Sequence, residues 1–278
     1  MSRKRILYLI IGLIIGIVLI ILWLHYIDLN ELVARMKRID TRLVFWATIS
    51  YLAAYFIRSL RWNILLSKQT SISIWKTYLY SMGGNWVNYL IPIRAGELVK
   101  AWFVKHNHGN SITSVLPSIF IDKTFDTLGI FFVLLMIPLL KVKFSQGLII
   151  LLILLGLVFA VSLAVLLLSV WQKDKVVRFL QTLFSWLPMK LKTKVNNYIS
   201  IFVQGLNIFE HHWTRLLNSF LLTALGVFLD GLYFYLLFLA FGIDYPFLKV
   251  LFGYTLINLS YAIPQPPAQL GSNEWMMI

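Results

Sequence analysis

Residues 147–170 read GLIILLILLGLVFAVSLAVLLLSV, an apolar run that holds no charged side chain. About 20 apolar residues are enough to cross a bilayer, so this block reads as a membrane span. The uncharged run from Ile6 to Leu24 reads the same way. Composition agrees, with 59% hydrophobic and 13% charged residues, against about 25% charged in a soluble domain. The expected fold class is all-α: a multi-pass transmembrane helical bundle with broken or re-entrant helices and interfacial amphipathic helices.

Outward from that block, hydropathy sets six spans: Ile6 to Ile27, Leu43 to Leu66, Val115 to Leu140, Gly147 to Val170, Trp213 to Phe241 and Phe247 to Ile263. The first is too long for a signal-peptide core of about 7–15 residues and reads as a retained span. Leu29, Leu32, Val33 and Met36 share helical spacing and mark an interfacial helix between spans 1 and 2. Ile74 to Pro92 is apolar but interrupted by Gly83-Gly84-Asn85 and Asn88, which suits a re-entrant hairpin or broken helix. Residues 171–212 form two amphipathic helices separated by Pro188. Both are expected on the membrane surface, with Lys173, Lys175, Arg178, Lys190, Lys192 and Lys194 near lipid phosphates. The chain is expected to be one transmembrane domain over residues 1–278. Glu274-Trp275-Met276-Met277-Ile278 reads as the first turn of a further apolar helix, which suggests truncation at the C-terminus.

The net charge of +14 points to cytoplasmic loops and anionic lipid rather than nucleic acid. Lys and Arg are denser on one set of loops, which favours a cytoplasmic N-terminus in the cell membrane. Arg35, Lys37, Arg38 and Arg42, just after span 1, run against that orientation. With no Cys, disulfide and thiolate chemistry are excluded. The His residues show no metal spacing with carboxylates, and no metal or cofactor is expected.

Polar, helix-breaking residues are costly in a membrane unless they line a cavity. Two such clusters stand out. Residues 90–99 read LIPIRAGELV, and residues 263–274 read IPQPPAQLGSNE. Asn88-Tyr89-Leu90-Ile91-Pro92 and Ser260-Tyr261-Ala262-Ile263-Pro264 share a pattern, and each is followed by Gly and Glu and preceded by an Asn. Transporters carry such repeats at their binding sites; two similar interface loops would read alike.

Charges within the spans mark further candidates. Arg58 and Arg61 share a face of span 2, either snorkelling from the helix end or reaching a lipid phosphate. Asp122, Lys123 and Asp126 begin span 3, either as a local ion pair that stabilises the helix start, or with Lys123 and Asp126 facing Arg94 and Glu97 across a cavity. Asp230 lies mid-span in span 5 as a proton or cation site, or as a neutral carboxyl bonded to a neighbouring helix. The lipid-headgroup candidates are Arg61, Arg94, Glu97, Lys123, Asp126, Asn85, Asn88 and Glu274.

Pro92-x-Arg94-x-Gly96-Glu97, Asp122-Lys123-x-x-Asp126, Pro264 with Gly271 and Glu274, and Arg61-Trp62 together resemble the lysylphosphatidylglycerol synthase transmembrane region family, the flippase-like domain proteins. The resemblance runs from about residue 5 to 278. The family more usually has Glu-Arg where Asp122-Lys123 stands, and Pro-x-Pro-Gly-Gly-x-Gly where Pro267-Ala268-Gln269 falls; Ala and Gln lack glycine's conformational freedom. In multiple peptide resistance factor proteins the resemblance implies movement of an aminoacylated phospholipid between leaflets, with a separate soluble domain making the lipid. This sequence shows no such domain, so synthase activity is not expected.

Three readings follow. The first is a lipid carrier for an anionic or aminoacylated phospholipid or a polyprenyl-phosphate lipid. Arg61, Arg94 and Lys123 would hold the phosphate, with Glu97, Asp126 and Glu274 balancing charge. The second is a membrane-embedded enzyme with Asp126 or Glu97 as general base. The third is an accessory subunit beside a glycosyltransferase or lipid synthase.

Overall fold

The computed structural model of the chain describes residues 29–67, 70–90, 95–134, 172–206 and 213–260, with scattered helical positions between 14 and 25 and between 146 and 168. Among them all regular structure is α-helix: α1 (Leu29–Met36), α2 (Thr41–Leu66), α3 (Ile74–Leu90), α4 (Gly96–His108), α5 (Ile112–Leu134), α6 (Lys173–Leu183), α7 (Met189–Leu206), α8 (Trp213–Ala240) and α9 (Phe247–Ser260). The first and fourth expected spans fall mostly outside the described residues, as does the second proline cluster.

Among the described residues, α2 and α8 are long and apolar enough to cross a membrane, and α9 is a shorter apolar helix. Leu217, Leu221, Leu225 and Phe228 form an exposed stripe along α8. Such spacing presents one continuous apolar face, here suited to lipid. α5 carries Asp122, Lys123 and Asp126 at its centre, where the sequence places them near the start of a span from Val115 to Leu140; residues 135–140 lie outside the described residues.

Local sequence explains the helix ends. Asp40 Oδ1 accepts from the backbone N–H groups of Arg42 at 2.9 Å and Leu43 at 3.4 Å, satisfying orphan donors at the start of α2. Ser73 and Ser111 do the same for α3 and α5. Gly109, at φ 74°, ends α4, and its N–H donates to the Lys105 carbonyl. Gly242, at φ 73°, ends α8, with N–H bonds from Gly242 to Leu239 O and from Ile243 to Phe238 O. That pair is the glycine-dependent C-terminal motif.

The chain divides into two compact units, one of residues 1–55, 79–100 and 227–278, the other of 56–78 and 101–226. In the first, the Asp40 N–H donates to the Ala240 carbonyl at 3.0 Å, and Ser50 Oγ donates to Leu229 O at 2.8 Å. These bonds hold α2 against α8. Gly231 lies where Leu251 and Phe247 of α9 cross close. In the second unit Leu65, Ile121, Phe125, Leu128 and Leu216 make the core, and Phe220 meets Phe125 edge to face. Trp62 is buried there, its Nε1 donating to Ser118 Oγ.

One expectation changes. α3 runs unbroken through Gly83-Gly84-Asn85 to Leu90, because interior glycine costs a helix only about 1 kcal/mol and close packing offsets it. α7 packs on both α5 and α6 with Ile199 buried, and leaves Leu191 and Tyr198 exposed. The break at Pro188 is present.

Asp40→Ala removes a helix cap and is expected to cost about 1 kcal/mol. The thermal unfolding midpoint of the detergent-purified protein should fall; an unchanged midpoint would show that the cap contributes nothing.

Candidate functional site

In the second unit Arg61 is the focus. Two arginines one turn apart on α2 meet two aspartates one turn apart on α5, so each helix presents its pair on one face. Arg61 Nε donates to Asp122 Oδ1 at 2.8 Å and Nη2 to Asp126 Oδ1 at 2.5 Å. Nη2 also donates to the Asp122 carbonyl at 3.2 Å, and Nη1 to Thr223 Oγ1 of α8 at 2.8 Å. A guanidinium has five donors, and these bonds use most of them. Its carbon lies 5.8 Å from the centre of the Phe125 ring. Removing such a charge from water costs several kcal/mol unless it is paired and hydrogen-bonded, and here it is both.

The cluster grades outward. The side chains of Arg61 and Asp122 are buried, those of Arg58 and Asp126 are 25% and 27% exposed, and that of Lys123 is 50% exposed. Arg58 Nε lies 4.0 Å from Asp126 Oδ1, and Lys123 Nζ donates to Asp126 Oδ2 at 3.2 Å. Arg58, Arg61 and Lys123 against Asp122 and Asp126 leave one net positive charge.

The first unit holds a second polar set, at the hairpin of α3 and α4. Asn88 Oδ1 accepts from the Gly96 N–H at 2.7 Å, satisfying the first orphan donor of α4. Gly84 lies buried against Gly96, and a Cβ on either glycine would strike the other's carbonyl oxygen. Lys100, beside Gly84, pairs with Glu97 at 3.0 Å. Asn85 Nδ2 donates to Tyr51 OH at 3.4 Å, and Tyr51 packs against Tyr55 and Tyr233. Asp230, buried, accepts at Oδ2 from Tyr254 OH at 2.6 Å.

Arg61, Lys123 and Asp126 thus come together in one unit; Asn85, Asn88, Glu97 and Asp230 lie in the other. Arg94 and Glu274 lie outside the described residues. Arg61 is neither snorkelling nor directed at lipid, for its head is enclosed by protein. The sequence reading did not place Arg61 against Asp122 and Asp126, and missed Thr223 and the tyrosines. The i, i+4 aspartates facing an i, i+3 arginine pair were the available signal for the first; Thr223 and the tyrosines left none.

Asp122→Ala leaves the buried Arg61 Nε without its acceptor while Asp126 still pairs with Nη2, and is expected to cost about 1–3 kcal/mol, against under about 1 kcal/mol for Lys123→Gln. Chemical unfolding in detergent measures both, and equal losses would refute the network. Gly96→Ala should lower the unfolding midpoint because its Cβ meets backbone. Gly253→Ala, with open space around it, should leave the midpoint unchanged or raise it slightly through helix propensity of up to about 1 kcal/mol.

Comparison with known proteins places this sequence in a family. The chain is 24% identical over 277 residues to a UPF0104 membrane protein of Methanothermobacter thermautotrophicus, covering 95% of this chain and 80% of that one. It is 27% identical over 122 residues to a UPF0104 membrane protein of Pyrococcus horikoshii, covering 42% of this chain and 36% of that one. No solved structure matches it. Residues 9–278 match the family described as the lysylphosphatidylglycerol synthase TM region, and the chain belongs to that membrane protein family.

Proposed function

We propose that the protein is a lipid-headgroup carrier of the flippase type, moving an anionic or aminoacylated phospholipid or a polyprenyl-phosphate lipid between leaflets. One observation carries the reading: α2, apolar enough to span, holds a guanidinium pair within a net-positive cluster that grades from buried Arg61 to half-exposed Lys123. Ionisable residues in a membrane are costly and mark substrate paths. In this reading Arg61 pins α2, α5 and α8 together, while Arg58 and Lys123 attract the phosphate. Asp126 balances their charge when no headgroup is bound. Arg94 and Glu97 enter the proposal from the sequence motif as headgroup ligands, and Asp230 with Tyr254 exchanges a proton. No synthase activity belongs to the proposal; a lipid synthase or glycosyltransferase partner would supply the lipid. The cell membrane, with the N-terminus in the cytoplasm, is the setting it assumes.

The test is transbilayer movement of a fluorescent phosphatidylglycerol in vesicles containing the purified protein. The wild type should accelerate it. Arg58→Gln with Lys123→Gln, and separately Arg94→Ala, should each slow it at least about tenfold, the loss of about one charge-assisted hydrogen bond, with helix content unchanged. Unaccelerated movement with the wild type would reject the carrier. A headgroup-modified product would then favour the enzyme, and a constant co-purifying enzyme the accessory subunit.

A further inference from the structure

Apart from the charge cluster, α6 and α7 border an open cavity of about 380 Å³ lined by Arg178, Gln181, Thr182 and Ser185, which are exposed, and by the half-buried Lys192 and Asn196. Every lining side chain is polar or cationic. The α6 residues recur at one-turn intervals and so share a face; Lys192 and Asn196 do the same on α7. The size falls in the range of small-molecule sites, about 300–1,000 Å³. Asn196 Oδ1 is buried with no hydrogen-bond partner among the described residues. An amide head can be turned over, which would direct its NH2 donors to the same place.

Two further features say what occupies it. Between residues 172 and 206 the sequence has six Lys or Arg residues and one acid, Asp174, so the occupant is an anion. Beside the cavity, about 100° around α6, Phe179 and Leu183 are exposed, and Trp186 of the connecting turn and Met189 at the start of α7 are 78% and 79% exposed. An aqueous anion site has no use for an apolar border of that kind. A bilayer interface does, because indole and aliphatic groups settle at the boundary of headgroups and acyl chains.

We propose that this cavity is a binding site for the phosphodiester headgroup of an anionic phospholipid, with Arg178 and Lys192 holding the phosphate, Thr182, Ser185 and Asn196 hydrogen-bonding the headgroup, and the Phe179–Met189 border seated among the acyl chains. The site does not rest on the carrier reading; it is a docking point on α6 and α7, neither of which is long and apolar enough to cross a membrane.

Native mass spectrometry of the detergent-solubilised full chain tests it, with phosphatidylglycerol, phosphatidylcholine and inorganic phosphate offered separately. The wild type should retain phosphatidylglycerol over phosphatidylcholine about tenfold, and Arg178→Gln with Lys192→Gln should abolish that preference. Lys175→Gln with Lys194→Gln, the same charge change outside the cavity lining, should keep it. Asn196→Leu, which leaves both cations in place, should weaken retention several-fold and guards against misfolding of the double variant. Equal losses in both double variants would replace the site with diffuse surface charge. Absent wild-type preference, or retention of inorganic phosphate without lipid, would overturn the proposal.

Discussion

The second unit depends on an arginine that cannot be left alone. Arg61 sits among apolar side chains, and the same low dielectric that makes its pairing strong makes a missing partner expensive. Its bonds run to α5 through Asp122 and Asp126 and to α8 through Thr223. One residue therefore fixes the rotation of three helices about their axes. Apolar contacts such as Phe125 with Phe220 supply area, but they tolerate small rotations that a guanidinium fork does not.

The first unit achieves its definition differently. There the tight point is backbone against backbone, Gly84 on Gly96, with Asn88 closing the start of α4. The fork of Arg61 fixes how helices are rotated; a contact between main chains fixes how closely they approach. The polar residues of this hairpin are consequently spent on holding its shape, and Asn88, expected to face a headgroup, satisfies a helix terminus instead.

Hydropathy and spacing revealed what is local. The extents of α2 and α8, the break at Pro188 and the Lys123–Asp126 pair all follow from neighbours within a few turns. Contacts between distant positions were less legible: spacing shows the arginine pair of α2 and the aspartate pair of α5 separately, but nothing local joins Arg61 to Asp122 or Tyr254 to Asp230. The glycines at 83 and 84 misled for a related reason. Glycine signals either a break or a close approach, and only the position of Gly96 decides between them. Residues such as Arg94 and Glu274 are known here from sequence alone, so their part in the site stands on motif resemblance.

Asp40 also acts as a ruler. By capping α2 while its own N–H takes the final-turn carbonyl of Ala240, it brings the beginning of one long helix level with the finish of another. Asp230 stands ten residues before Ala240, about 15 Å along the axis at 1.5 Å per residue. Asp230 is therefore about three turns inside α8 and buried, where a carboxylate without a donor would be costly, and the Tyr254 hydroxyl at 2.6 Å supplies one.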